Sequence, residues 1–336
     1  MTTQTPRVLE IDALRGLAVC LMVMVHAAAT WTPPSISRHS FLAYTISGLG
    51  GLAAPLFVTL MGWGIYRTHF TLRKRLVRGG GLLLLQLIVN LAAPHLFQPF
   101  TPGVLSLMGL MILTSGVWAI QPTSSSHSEK KLAGCMACVL LVCLVFPTIQ
   151  GESIWAARVS TDSLNTLFSH LFFTGTYPLF PWLFFGWLGG LLSFKPEIIQ
   201  PTLIIGGCIT MASMLYAGYS RTPWALPTGN AVLTFFPANP FFLVAAMTGT
   251  LLLWMLFHRI SPSKSLAHTG RTSLTIYVLH FVPLAKFHTL ETTQGWSISV
   301  TTVAILTFTL VWIPVSLLLQ NKFRQLTLEY QLQRLV

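Results

Sequence analysis

The chain alternates between long apolar runs and short polar segments. About 20 consecutive apolar residues can cross ~30 Å of hydrocarbon as one helix, and runs of this length recur along the whole sequence. The pattern predicts ten transmembrane helices, with no long linker, repeat or second domain. The predicted spans are 12–31, 42–66, 79–97, 102–120, 132–149, 176–194, 199–218, 239–258, 273–287 and 296–319. We therefore expect an all-α integral membrane protein, a single domain over residues 1–336 with residues 320–336 as a cytoplasmic tail.

Two stretches predict irregular structure. The ninth span, 273–287, is short for a crossing, which indicates a kinked or tilted helix. The stretch Leu167–Thr176 precedes the sixth span and is typical of a re-entrant or interfacial segment. Pro178 and Pro181 would separate it from the span proper, because proline interrupts helical hydrogen bonding.

The basic residues predict the orientation. If the N-terminus is inside, only 4 of the 20 Lys and Arg residues lie in outer loops, namely Arg38, Arg158, Arg221 and Lys286. Inner loops of membrane proteins carry the excess of Lys and Arg. The distribution therefore predicts that both termini are cytoplasmic, in a multi-pass protein of the cell (inner or plasma) membrane.

Composition excludes a soluble protein. Hydrophobic residues make up 53% of the chain and charged residues 8%, whereas soluble domains carry roughly 25% charged residues. The net charge of +12 does not indicate nucleic acid as a partner, because no basic face is interleaved with aromatic residues. The five cysteines lie inside apolar runs and predict packing rather than disulfides, and we expect no metal. The oligomeric state is not predicted by any of these patterns.

The first span carries the most informative ionisable residues. Arg15 and His26 are 11 residues apart, which places them roughly 16 Å apart along one stripe of a helix. An ionisable group at the depth of His26 usually faces a polar cavity, although a hydrogen bond to another helix would explain it equally well. Asp12 lies one turn before Arg15 and could hold it in place or cap the helix.

The stretch RVLEIDALRGLAVCLMVMVHA, from Arg7 to Ala27, resembles the start of the transmembrane acyltransferase superfamily. That superfamily includes the family 3 acyltransferases and the heparan-α-glucosaminide N-acetyltransferase family. The Arg-x10-His spacing of Arg15 and His26 matches the family 3 pattern. Three further segments resemble the heparan-type branch, in family order: APLFV (54–58) with Met61-Gly62, YPLFPW (177–182) with Gly186 and Gly189, and GRTSLTIYVLH (270–280).

The resemblance implies an enzyme that moves an acetyl or similar acyl group from cytosolic acetyl-CoA to a sugar-like hydroxyl or amine acceptor, at or across the membrane. The heparan-type enzymes have Asn where His26 stands and a proposed catalytic His about 11 residues further on, near His39 here. His26 and His39 are therefore the candidate bases, with His26 preferred, and Asp12 is a further catalytic candidate. Histidine suits proton removal because its pKa lies near working pH. Direct transfer and an acyl-imidazole intermediate both stay open.

Coenzyme A carries phosphates, which arginine binds through paired hydrogen bonds. The candidate donor-binding residues are Arg15, Arg73, Arg75, Arg78 and Arg271. Topology signalling and contact with anionic lipid headgroups explain the basic run 67–78 equally well. His170, Tyr177 and Trp182 are the candidates for lining an acceptor site, and for His280 a buried interhelical hydrogen bond is the equal alternative.

Two other function classes compete with the enzyme. A proton-coupled transporter or flippase of a small or lipid-linked substrate would also use a buried His and broken helices, although the two-half symmetry common in transporters is not visible. A non-catalytic membrane scaffold would leave His26 unexplained.

Overall fold

The computed structural model describes residues 8–32, 41–68, 70–119 and 125–336. Its α-helices in these ranges are α1 (Leu9–Trp31), α2 (Phe41–Gly51), α3 (Ala53–Tyr66), α4 (Leu72–Ala92), α5 (Val104–Leu113), α6 (Ser115–Trp118), α7 (Ser125–Val145), α8 (Trp155–Val159), α9 (Leu164–Ser169), α10 (Leu179–Phe194), α11 (Ile199–Ser220), α12 (Pro240–Arg259), α13 (Lys264–Arg271), α14 (Ser273–Leu279), α15 (Phe281–Gln294), α16 (Ile298–Lys322) and α17 (Leu328–Arg334). Two short strands, β1 (Ala225–Thr228) and β2 (Leu233–Phe236), form a parallel pair that aligns Ala225 with Leu233.

The expected all-α architecture is confirmed. Six helical segments of the described residues are long and apolar enough to cross a membrane: Leu9–Trp31, Phe41–Tyr66, Leu72–Ala92, Pro196–Ser220, Pro240–Arg259 and Ile298–Lys322. The segments Leu164–Thr174 and Leu179–Phe194, bent by 41° at their junction, would make a seventh as one broken span. The count of ten crossings stays a prediction, although helix occupies part of each predicted span.

Both stretches that predicted irregular structure are irregular. A π-helical turn, His170–Thr174, follows α9, and the chain then bends before α10. Phe180 has extended dihedral angles within α10 (φ −94°, ψ 126°), because the residue before a proline is driven out of the helical region. The predicted span 273–287 falls on α14 and α15, which follow α13 after short breaks.

Two glycines bring α1 and α13 into backbone contact. A Cβ atom on Gly16 would overlap the carbonyl oxygen of Leu266, and one on Gly270 would overlap the carbonyl oxygen of Asp12. Helices in lipid associate through such small residues, since apolar side chains gain nothing by leaving lipid for each other. The contact fixes α1 against the broken segment α13–α15, which carries His280.

Arg158 holds together the loops at the opposite end of the bundle. Its side chain is 1% exposed, and its guanidinium donates to the carbonyl oxygens of Gln150, Glu152, Thr174 and Gly175. Burial lowers the pKa of Arg158 to about 10, so the side chain remains a cation at neutral pH. A buried charge with this many partners avoids the cost of several kcal/mol that an unpaired one would carry.

Candidate functional site

Two histidine rings meet in the interior. His26 of α1 lies beside His280, which joins α14 to α15, with 3.0 Å between Nδ1 of His26 and Nε2 of His280. The rings are nearly parallel, at an interplanar angle of 8° and a centroid distance of 5.2 Å. His280 is fully buried, whereas His26 keeps part of its surface exposed.

The hydrogen bonds of this pair determine the tautomers of both rings. Nδ1 of His280 lies 3.1 Å from the carbonyl oxygen of Ile276, and a carbonyl oxygen can only accept. The hydrogen of neutral His280 is therefore on Nδ1, and its Nε2 accepts from Nδ1–H of His26. Since a neutral imidazole has one N–H, Nε2 of His26 is left with a free lone pair, which is the atom a proton acceptor needs.

A cavity of about 350 Å³ is lined by Arg15 and by Tyr277, and neither histidine of the pair is part of its lining. Tyr277 lines it, and the Tyr277 ring stands edge-on to His26 at a centroid distance of 6.3 Å. The walls between are mostly apolar, with side chains from α3, α4, α5 and α14 such as Phe57, Met61, Leu105 and Met108. The Tyr277 ring thus stands between the cavity and the histidine pair.

Cations surround the mouth of the cavity. Arg15 and Arg78 line it, and Arg78 lies over the Phe70 ring at 5.5 Å. Asp12, 6% exposed, orders this region: its carboxylate lies 3.6 Å from Arg15 and 2.9 Å from Nε of Arg271. An anion held between two cations positions both while leaving a net positive charge at the mouth.

The C-terminal helix α17 closes the other side of the mouth. Glu329 accepts hydrogen bonds from the backbone N–H groups of Leu274 and Thr275 at 2.7 and 3.1 Å, and from the Thr275 hydroxyl at 2.5 Å. The two backbone N–H groups lie in the first turn of α14, where no helix carbonyl can accept from them and where a carboxylate is favoured. Burial raises the pKa of Glu329, and its hydrogen bonds with Thr275 oppose that shift. Glu329 therefore anchors α17 to the helix that carries Tyr277.

The predicted donor residues separate into two groups. Arg15 and Arg78 line the cavity and Arg271 is bonded to Asp12, so these three lie together. Arg73 instead donates to the carbonyl oxygen of Leu335 at 3.3 Å, and Arg75 lies against Gly116. Neither Arg73 nor Arg75 lines the cavity.

The prediction of a catalytic role for Asp12 is not supported by its position. Asp12 lies 14 residues before His26 on α1, a distance of roughly 21 Å along the helix. A carboxylate so far away cannot exchange a proton with that ring, and Asp12 instead positions Arg15 and Arg271. His39, the second candidate base, lies outside the described residues.

Two of the three predicted acceptor residues are buried among protein groups. Trp182 is fully buried within an aromatic cluster that includes Tyr177 and Phe235, so no ligand reaches it. His170 is 5% exposed, and both ring nitrogens are bonded, to the Thr174 hydroxyl and to the Ser160 carbonyl oxygen. Tyr177 is partly exposed, and its ring stands edge-on to those of Phe235 and Phe236 at centroid distances of 6.0 and 5.5 Å.

The sequence matches the acyltransferase domain of family 3 over residues 8–319. The chain belongs to acyltransferase family 3. No curated protein matches the chain. The family match covers α1 through most of α16, so the histidine pair and the cavity both lie within it, and the chain is a membrane acyltransferase in general terms.

The tautomer of His26 can be measured directly. Histidine-selective ¹⁵N labelling at neutral pH should show His26 with a protonated Nδ1 and an unprotonated Nε2, because Nε2 of His280 accepts its hydrogen. In a His280→Phe variant that acceptor is lost, and we expect the hydrogen to move to Nε2 of His26. A wild-type signal with Nε2 protonated would contradict the hydrogen-bond assignment, and His26→Ala identifies the signal.

Proposed function

We propose that this chain is an acetyl-CoA-dependent acetyltransferase that modifies a sugar-like hydroxyl or amine acceptor at or across the cell membrane. The observation that carries the proposal is the unprotonated Nε2 of His26, separated by the Tyr277 ring from a cavity that Arg15 and Arg78 line. The matching family and the Arg-x10-His spacing support His26 over His39 as the base.

The shape of the cavity suits the donor. Ligand pockets usually measure ~300–1,000 Å³, so a cavity of about 350 Å³ holds only part of a molecule as long as acetyl-CoA. The apolar walls suit the pantetheine arm, and the cations at the mouth suit the pyrophosphate. This placement directs the thioester toward Tyr277 and His26.

The acceptor would approach from the opposite side. The ring of Phe281 lies 5.0 Å from His26, Phe97 lies 6.1 Å from Phe281, and Trp155 lies 6.3 Å from Phe97. Trp155 is partly exposed and Phe281 is fully buried, so the row separates the surface from the histidine pair, and an acceptor would need these rings to move apart. Aromatic faces beside polar groups are suited to amphipathic ligands, and a sugar ring is one.

The proposed chemistry conserves every atom. The acceptor oxygen or nitrogen bonds to the acyl carbon as its proton passes to Nε2 of His26, the carbon–sulfur bond of the thioester breaks, and the proton then goes to the departing thiolate. Nδ1–H of the resulting imidazolium remains bonded to His280, which keeps the ring oriented. An acyl-imidazole route would use the same lone pair.

We further propose ten crossings with both termini inside. Residues assigned to one side contact each other: Arg271 pairs with Asp12 at the inner end, and Thr101 donates to the Val159 carbonyl oxygen at the outer end.

Reporter fusions should place residue 125 and the C-terminus in the cytoplasm and residues 38 and 158 outside, because of the basic-residue distribution. A cytoplasmic residue 158 would contradict the ten-span arrangement.

Replacing His26 tests the base. The His26→Ala variant should lose ~10²–10⁴-fold in acetyl transfer, measured with labelled acetyl-CoA, while donor binding is retained. Unfolding should change little, since interhelical hydrogen bonds in membranes average only ~0.6 kcal/mol. The companion His39→Ala variant should stay active.

The two variants together discriminate among the alternatives. An inactive His39→Ala with an active His26→Ala would assign the base to His39. Two fully active variants would exclude both histidines. Substrate uptake by the purified protein with no acyl transfer would favour a transporter instead.

Replacing Arg78 tests the donor site. The Arg78→Gln variant should weaken acetyl-CoA binding by ~10- to 100-fold, because each charge-assisted hydrogen bond contributes about 1.5–3 kcal/mol. Arg73→Gln is the matched control on the same helix, since Arg73 lies outside the cavity, and its affinity should be unchanged. If calorimetry in detergent gives equal acetyl-CoA affinities for both variants, the basic run 67–78 acts in membrane orientation and not in donor binding.

A further inference from the structure

A second cavity, of about 250 Å³, lies on the far side of α17. Its lining is polar and includes Arg271, Asn321, Arg324, Tyr330 and Gln333. The chain segment between α16 and α17 supplies Arg324, which is largely exposed. None of these side chains except Arg271 has a role in the proposed transfer.

The two cavities are neighbours. Glu329 and Gln333 line both, so α17 forms the wall between them. The three hydrogen bonds that the Glu329 carboxylate accepts from Leu274 and Thr275 offset part of the negative charge it brings to this wall. Arg271 also lines the polar cavity, and its Nε donates a hydrogen bond to the Asp12 carboxylate.

The order of polarity along the two cavities matches the order along an acyl-CoA. From Tyr277 outward, the protein offers apolar walls, then Arg15 and Arg78, then the polar cavity with Arg324. From the thioester outward, the donor has an apolar arm, then a pyrophosphate, then a ribose with a 3′-phosphate and an adenine. A phosphate monoester offers oxygens that match the paired N–H groups of arginine.

We propose that the polar cavity beside α17 is the subsite for the 3′-phosphorylated nucleotide end of the donor, with Arg324 as the residue that selects the 3′-phosphate. This inference rests on the proposed acyl-CoA donor. It makes the segment after α16 part of the donor site. It also gives Arg324 a role in ligand binding, in addition to the effect that basic residues have on membrane orientation.

The test compares acetyl-CoA with acetyl-dephospho-CoA, which lacks only the 3′-phosphate. The full-length wild type, in phosphatidylcholine nanodiscs, should prefer acetyl-CoA by ~10-fold or more in kcat/KM, the value of one charge-assisted contact. Arg324→Ala should lose this preference while its rate with acetyl-dephospho-CoA stays at the wild-type level. Arg324→Lys should retain part of it, and Lys322→Ala, an exposed cation outside the cavity, should behave as wild type.

Each other outcome overturns the inference. If Arg324→Ala keeps the full preference for the 3′-phosphate while acetyl-CoA remains the donor, the subsite is wrong and the proposed function stands. If no CoA thioester is used at all, both fail. If the effect of Arg324→Ala appears only after phosphatidylglycerol is added and is the same for both donors, the cavity binds a lipid headgroup phosphate instead.

Discussion

A histidine inside a membrane protein must find its hydrogen-bond partners within the protein, because hydrocarbon offers none. In this chain His26 and His280 satisfy each other, and the carbonyl oxygen of Ile276 terminates the chain of bonds. Because His26 donates to His280 and His280 donates to Ile276, the unprotonated nitrogen of His26 is Nε2. The orientation of the His26 ring, its tautomer and its position beside Tyr277 all follow from this pair of rings.

The pair in turn depends on how α1 meets the broken segment α13–α15. Gly16 and Gly270 let the two backbones touch, and the Asp12–Arg271 ion pair holds the same crossing at its charged end. The Arg-Gly sequence at the start of α1 and the Gly-Arg sequence at the end of α13 therefore do two things at once. Each glycine sets the helix contact, and each arginine contributes to the positive mouth of the cavity.

The apolar pattern was sufficient to predict the helical membrane fold and the irregularity around Pro178 and the ninth span, since these depend on local composition. The resemblance to the acyltransferases put Arg15, Arg73, Arg75, Arg78 and Arg271 into one candidate set, and the structure places Arg15, Arg78 and Arg271 together. The pattern failed where burial decides the role. Trp182 and His170 have the residue types of a binding site, but packing encloses the first and hydrogen bonds occupy the second.

The contribution of α17 could not be predicted, because it depends on a contact between residues 54 positions apart. Glu329 reaches the start of α14 only after α16 has returned the chain to the same end of the bundle. For the partner of His26, the sequence offered one indication, namely that His280 ends the segment GRTSLTIYVLH, which resembles the heparan-type branch. Even there, spacing along the chain does not report which two rings share a hydrogen bond.

The claim that the two histidines act as a unit is tested most directly by a double-mutant cycle. Acetyl transfer is measured for wild type, His26→Ala, His280→Phe and the double variant. If His280 acts only by orienting His26, then His280→Phe reduces turnover with donor affinity unchanged, and adding it to His26→Ala causes no further loss. Independent, multiplying losses in the double variant, or full activity in His280→Phe, would contradict the account.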